Sequence, residues 1–267
     1  MKYVVFSDID GTLVDFNTYS MEQSIEAAKI LHDRDIPLVL CSSKTRTEIE
    51  LYRDKIGCRD PFIVENGGGI FIPVGYFSHP LKTTVSRDGY DVVELGIPYN
   101  RLRTMLEDIR RETGYPIKGM GDMSLEEVCR YTNLPPHEAE LARCREFDEP
   151  FVIEGVHPDM SVLWQSASEM GVSITRGGRF FHLLGRNDKG LAVKKLSAMF
   201  AAEFGEVATI ALGDSPNDIP MLQVVDMPVL VQKPGGYHDP DVRMRDLYLA
   251  PGVGPEGWTR AVMTLLS

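Results

Sequence analysis

Cysteine is scarce and scattered. The four, Cys41, Cys58, Cys129 and Cys144, form no C-x-x-C pair, which argues against a disulfide framework or a zinc site and fits a reducing cytoplasm. No Ser-, Gln- or Pro-rich tract marks long disorder. No apolar run nears the length that crosses a bilayer, and the one after Lys2 ends at Phe6, so no signal peptide is expected. Positive charge is in deficit: 28 Lys and Arg stand against 39 Asp and Glu, a formal net charge of -11. That charge repels nucleic acid and anionic membranes, so neither is expected as a partner. If the chain binds an anion, positive charge has to be local, from a metal ion or a few placed Lys and Arg.

What is present suffices for a large packed core: 267 residues with 43% hydrophobic content. Tyr3-Val4-Val5-Phe6 is suited to a buried strand ending at Ser7-Asp8. Ser20 and Gln23 have capping-box spacing, and Ile25, Ala28 and Leu31 fall on one face of the helix that follows. Ile36 to Cys41 reads as a second strand, stopping at Ser42-Ser43-Lys44-Thr45. Thr45 and Glu48 then open a second helix, which Gly57 can close at its C′ position. Phe62-Ile63-Val64 runs into Glu65-Asn66-Gly67-Gly68-Gly69, and Ile70-Phe71-Ile72 leads away. This alternation predicts an α/β fold with a doubly wound, mainly parallel sheet, whose functional residues collect at the carboxyl ends of the strands.

The texture then changes. A helix around Leu102 to Thr113, an acidic amphipathic stretch from Ser124 to Arg145 and short apolar segments such as Phe151-Val152-Ile153 predict an inserted α/β domain at 84–186. Residues 1–83 and 187–267 are then one core, discontinuous in sequence. Its pattern resumes with a helix from Gly190 to about Phe204 and the strand Ala208 to Leu212. Val229 to Val231, Leu247 to Leu249 and a closing helix from Trp258 follow.

Four segments carry chemistry. In Asp8-Ile9-Asp10-Gly11-Thr12 a buried strand delivers two carboxylates two residues apart, and Gly11 allows a sharp turn. One carboxylate can bind metal and attack while the other moves a proton; an acidic turn is the plainer alternative. Gly213-Asp214-Ser215-Pro216-Asn217-Asp218 also follows an apolar strand and offers hard oxygens suited to magnesium, or to capping a helix. Ser42 ends the second strand, and Lys189 stands just before a helix. A hydroxyl and an ammonium there can bind the oxygens of a transferring phosphoryl group.

These four pieces, in this order, resemble the motifs of the haloacid dehalogenase superfamily of phosphohydrolases. The resemblance implies a Rossmann-like core with an inserted cap domain that selects the substrate. It makes Asp8 the nucleophile and Asp10 the general acid and base, with Ser42 and Lys189 as phosphate-binding catalytic residues. Magnesium is then held by the side chains of Asp8 and Asp214 and the main-chain carbonyl of Asp10, with Asn217 and Asp218 in supporting positions around it.

Longer segments are similar to one capped subfamily, mannosyl-3-phosphoglycerate phosphatase. They are Cys41 to Thr45, Glu65 to Gly68, Asp122 to Pro150 and Thr175 to His182. The similarity implies a small phosphorylated sugar-glycerate as substrate, with glucosyl-3-phosphoglycerate, a broader set of sugar phosphates or a phosphosugar mutase reaction as alternatives on the same machinery. Ser43, Lys44, Glu65, Asn66, Arg176, Gly177, Gly178 and Arg179 become substrate-binding candidates. Arg176 and Arg179 flank two glycines, where backbone and guanidinium groups can converge on an anion, or where a turn leaves both arginines solvated. Lys44 can meet a phosphate or carboxylate, or face solvent at a helix start. Glu65 and Asn66 can bond sugar hydroxyls, or form a turn. His182, between apolar residues, is expected to pack in the cap rather than to bind metal.

Overall fold

The computed structural model describes residues 1–81, 84–155, 159–177 and 179–266. Gly178 lies outside the described residues. The first part of the chain forms β1 (Lys2–Ser7), α1 (Glu22–Asp33), β2 (Leu38–Leu40), α2 (Arg46–Lys55), β3 (Phe62–Val64), β4 (Gly69–Pro73), β5 (Val85–Arg87) and β6 (Tyr90–Glu94). The middle forms α3 (Tyr99–Thr113), β7 (Ile117–Gly119), α4 (Leu125–Thr132), α5 (Pro136–Ala142), β8 (Asp148–Ile153), α6 (Met160–Glu169), β9 (Ser173–Arg176) and β10 (Phe181–Leu184). The last part forms α7 (Lys189–Phe204), β11 (Val207–Gly213), α8 (Ile219–Leu222), β12 (Met227–Gln232), β13 (Tyr248–Val253) and α9 (Pro255–Leu265).

Five parallel strands, ordered β13-β12-β11-β1-β2, make the central sheet. β1 and β11 come from distant parts of the sequence and pair from Lys2 with Val207 to Ser7 with Leu212. Alternation along β1 sends Val5 to one face, with Leu31 of α1 and Trp258 of α9, and Val4 and Phe6 to the other, with Val193, Leu196 and Phe200 of α7. Each such large side chain, fully buried, stabilises the fold by about 1.5–3 kcal/mol. Two covered faces explain why these strands are apolar throughout rather than alternating.

A parallel bridge between Cys41 and Ile63 carries the pairing on to β3, from which β3-β4-β6-β5 continues antiparallel. The segment Val85 to Glu94, which sequence texture groups with the insertion, is therefore hydrogen-bonded to β4. Its register sets Val92 beside Phe71 in one core cluster and Val93 beside Ile70 in the other. The second sheet, β7-β8-β10-β9, is antiparallel. It has its own core, in which Leu102, Leu106 and Ile109 of α3 meet Phe151, Leu163 and Leu183.

Local signals fared unevenly. Thr45 and Glu48 form the expected capping box, and Gly57 takes φ +67 just past α2. The Ser20–Gln23 box does not form: α1 starts after Met21 without a side-chain cap, and Ile25 is exposed. Ser24 explains the rotation, because its hydroxyl donates to Leu13 O at 2.7 Å and turns the Ser24–Ala28–Leu31 face inward. The stretch from Ser124 to Arg145 is two helices, broken where Asn133 adopts φ 62 ahead of Pro135 and Pro136.

Candidate active site

Sheet register brings the motif residues together. Asp8 follows β1 and donates its N–H to Leu212 O at 2.9 Å, so it sits beside the end of β11, where Asp214 begins the next loop. Ser7 steadies it from below: its hydroxyl donates to Asp8 O at 2.7 Å and accepts the indole N–H of Trp258 at 2.9 Å. On the other side Cys41 N–H donates to Ser7 O, which sets the buried Ser42 next to the same strand end. Gly11 turns the chain at φ +77, and a Cβ there would stand 2.8 Å from Asp214 Oδ2. A side chain at 11 would push the two loops apart.

Lys189, at the start of α7, is 1% exposed, and its Nζ lies 2.6 Å from Asp8 Oδ1 and 2.7 Å from Asp218 Oδ1. Burial disfavours the ammonium, but Asp218 and Asp8 outweigh it and hold Lys189 charged, above the usual lysine range. Asp8 is pushed well above the carboxylate range by burial; Lys189 opposes that push, and Asp218 and Asp214 add to it. Asp214 is also raised, by burial and then by Asp218, against the pull of Lys233. Carboxylate oxygens of Asp8, Asp214 and Asp218 all lie within 4.8 Å of one another. Three carboxylates facing two lysines leave negative charge in excess, and the donors are hard oxygens, so the residues fit a divalent cation such as magnesium.

Asp218 spends its second oxygen on the loop backbone, accepting the N–H groups of Asp214 at 3.0 Å and Ser215 at 3.2 Å. Ser215 Oγ lies 2.6 Å from Asp214 Oδ1 and 2.9 Å from Asn217 Oδ1. Lys233 escaped sequence reasoning: just past β12, its Nζ is 3.1 Å from Asp214 Oδ2 and 3.5 Å from Asp239. Its signal was positional, a cation at the end of another apolar strand of the parallel sheet.

Above these groups lies a cavity of about 150 Å³. Asp8, Asp10, Ser43, Lys44, Ser215 and Asn217 form its floor, and Arg145, Pro150, Gly177, Arg179, Phe180 and His182 of the inserted module form its roof. Asp10 Oδ2 is 3.1 Å from Lys44 Nζ, which also lies 3.6 Å from Glu48. Burial opposes the charge on Lys44, but Asp10 and Glu48 together raise it well above the usual range. Arg145 donates to Ser43 O at 2.7 Å, and Arg179 to Tyr19 Oη at 3.1 Å, so both reach from roof to floor.

Other sequence candidates lie apart from the cavity. Glu65 and Asn66 are buried with φ 48 and 55. The Glu65 carboxylate accepts the N–H groups of Glu146 at 2.9 Å and Phe147 at 2.8 Å, joining the two modules; burial pushes it up to about 8, against Arg145. Asn66 Nδ2 donates to Asp148 at 3.4 Å. Arg176 is exposed, with its guanidinium over the Phe181 ring at 5.9 Å. Ser42 Oγ accepts the Lys44 N–H at 3.3 Å, beneath the cavity floor rather than in its lining. His182 is buried, as expected of a packing residue, yet it also faces the cavity.

Known proteins resemble this chain in sequence and in fold. The family model described as haloacid dehalogenase-like hydrolase matches residues 5–83 and 175–233. A relative from Methanococcoides burtonii, named glucosyl-3-phosphoglycerate/mannosyl-3-phosphoglycerate phosphatase, is 46% identical over 100% of this chain and 98% of its own. A mannosyl-3-phosphoglycerate phosphatase from Pyrococcus furiosus is 37% identical over 86% of this chain and 91% of its own. Among solved structures, one from Thermoplasma acidophilum superposes with a TM-score of 0.71 at 20% identity, covering 100% of this chain and 99% of that one, a likeness of fold alone. With the matched segments containing the strand ends that carry Asp8, Ser42, Lys189 and Asp214, the chain belongs to the haloacid dehalogenase-like hydrolases.

Proposed function

We propose that this protein removes the phosphate of 2-(mannosyl)-3-phosphoglycerate to give mannosylglycerate, through an aspartyl-phosphate on Asp8, with magnesium as cofactor. The observation that carries the reading is the contact of Asp8 with the buried Lys189, 2.6 Å away at the floor of a cavity roofed by cations from a second module. Residues 97–186 serve as the cap in this reading, and the names of the full-length relatives support the substrate class.

A carboxylate attacks a dianionic phosphate poorly unless positive charge offsets their repulsion. Lys189, kept charged by Asp8 and Asp218, supplies part of it and binds a phosphoryl oxygen; the Ser42 hydroxyl binds another. The side chains of Asp8 and Asp214 and the main-chain carbonyl of Asp10 would hold magnesium, which when bound would supply the remaining charge neutralisation. Asp8 forms the new bond to phosphorus as the bond to the glycerate oxygen breaks, and Asp10 gives that oxygen a proton. Asp10 then takes a proton from the water that cleaves the aspartyl-phosphate. Asp218 and Asn217 keep Asp214 and its loop in place, and cap closure keeps bulk water from the intermediate. Lys44, Arg145 and Arg179 line the cavity with cations that an anionic substrate can meet, Lys44 beside Asp10 and Arg179 at the rim.

A second reading keeps the machinery and widens the sugar, because the 46% identical relative is named for both glucosyl and mannosyl esters. Phosphate release with magnesium, measured on the mannosyl ester, the glucosyl ester, 3-phosphoglycerate and simple sugar phosphates, tests both. A kcat/KM for the mannosyl ester at least about tenfold above the simple sugar phosphates supports the proposal. Equal values throughout, or a phosphorylated sugar product without phosphate release, defeat it. Chelation should abolish turnover and magnesium restore it.

A further inference from the structure

We propose that His182 binds a hydrogen-bonding oxygen on the part of the substrate that is not transferred, with Asp148 as its positioning residue and Gly177 as the gap that admits the ligand. The inference rests on the reading above and names a specificity residue for it. His182 sits on β10, 7% exposed, with Nδ1 2.7 Å from Asp148 Oδ2. Asp148 is fully buried, and the same oxygen is approached by Asn66 Nδ2 at 3.4 Å and Arg145 Nη1 at 3.7 Å. Donors surround it, so Asp148 acts as an acceptor and the imidazole carries its proton on Nδ1. That leaves Nε2 for a ligand. A Cβ on Gly177 would lie 2.7 Å from Nε2, and both residues line the cavity that holds Asp8 and Asp10. Among the described residues no hydrogen-bond partner meets Nε2, and it faces space that the missing side chain at 177 leaves open.

The step at phosphorus does not need this group, since Asp8 and Asp10, in the loop after β1, and Lys189, at the start of α7, supply nucleophile, proton and charge in the proposed reaction. Recognition is what remains. A neutral Nε2 accepts from a sugar hydroxyl, and a protonated one donates to a carboxylate; both oxygens exist on a sugar-glycerate ester.

Steady-state kinetics of the full-length protein with magnesium decide the matter. In His182→Asn the amide nitrogen takes the place of Nδ1 and keeps the Asp148 contact, whereas in His182→Gln it reaches the place of Nε2. We expect His182→Asn to raise KM for the sugar-glycerate ester about tenfold with kcat within about threefold, and its loss in kcat/KM to exceed that on phenyl phosphate by about tenfold. His182→Gln should recover part of that KM. Gly177→Ala, whose Cβ would crowd Nε2 at 2.7 Å, should reproduce the rise, and Asp148→Asn added to His182→Asn should raise KM no further. A matching loss on 3-phosphoglycerate identifies the carboxylate as the contact; its absence identifies a sugar hydroxyl. Equal losses on all esters, a wild-type KM in His182→Asn, or better rescue by Asn than by Gln overturns the proposal. If the wild type releases no phosphate from either sugar-glycerate ester, the function above fails. His182 is then judged by the same ratio between the best sugar phosphate and phenyl phosphate.

Discussion

The floor of the cavity and its roof are built on different terms. At the floor, Asp8 and Asp214 follow adjacent strands of one parallel sheet, and their charges are matched by Lys189 and Lys233 within about 3 Å. The roof meets the floor through a few polar bonds, Arg145 to Ser43, Arg179 to Tyr19 and the Glu65 carboxylate to two amides. Sheet register fixes positions to fractions of an ångström, as attack on phosphorus requires. A handful of polar bonds can part and re-form, as substrate admission requires. The proposed function assigns chemistry to the floor and selection to the roof, and the variants below test that division.

The largest effect is expected at the floor. Asp8→Asn should lower kcat by roughly a thousandfold or more, because the amide is no nucleophile, while circular dichroism stays that of the folded protein. Residual turnover near a tenth of wild type would break the assignment of Asp8. Lys189→Met comes next, with a kcat loss of about 10²–10³ from missing charge stabilisation. It should also cost about 3–5 kcal/mol in urea unfolding, since Asp8 and Asp218 are left buried with no cation between them. A stable, inactive Lys189→Met protein would mean that the lysine serves phosphate alone and not the cluster.

The same division explains what was legible in the sequence. The floor could be read because each of its groups is local: an apolar run followed at once by Asp8, Ser42 or Asp214. The roof was legible only in part: Gly177 and Arg179 stand in one short segment, whereas Arg145, Pro150 and Phe180 are brought in by tertiary packing. Glu65 and Asn66 sit at a strand end like the true floor residues, yet their positive φ turns them toward the amides of Glu146 and Phe147 and toward Asp148. Arg145 and His182 are separated by 37 positions and meet through Asp148, a contact that no short motif encodes. Sequence texture groups Val85 to Glu94 with the insertion, and the sheet pairs the β6 part of that segment with β4. Val92 and Val93 are buried in opposite core clusters, so the pairing with β4 depends on their finding Phe71 and Ile70.

A medium effect is expected at the roof. Arg179→Met removes a guanidinium from the cavity rim, where it bonds Tyr19 and lies over Phe16 at 5.7 Å. KM for the sugar-glycerate ester should rise about three- to tenfold with little change in kcat. Arg176→Met, three residues earlier and directed at Phe181 outside the cavity, should leave KM within about twofold. Equal shifts in the two variants would show that the roof acts through its general field rather than through placed contacts.

The smallest effect belongs to the cohesion of the module around the second sheet, away from both floor and cavity. Asp122 accepts from Arg103 and, at 2.7 Å, from Arg110, which ties the α3 face to the turn after β7. The Arg103 hydrogen bond, with Arg110 behind it, holds the Asp122 carboxyl down at about 2 against an ordinary 3.8. A depressed folded-state value means that the stabilisation is present above pH 3.8 and is lost as pH falls through 2. Asp122 is 30% exposed, so solvent screening limits the pair to about 1 kcal/mol. Asp122→Asn should therefore unfold in urea about 1 kcal/mol more easily at pH 7. The gap to wild type should shrink below pH 3.8 and close near 2, with kcat unchanged at neutral pH. A gap that persists undiminished at the acid end would assign the loss to packing of the side chain rather than to its charge. A fall in kcat would show that the cap's internal ion pairs hold the roof in register with the floor, and that selection and chemistry are less separable than their construction implies.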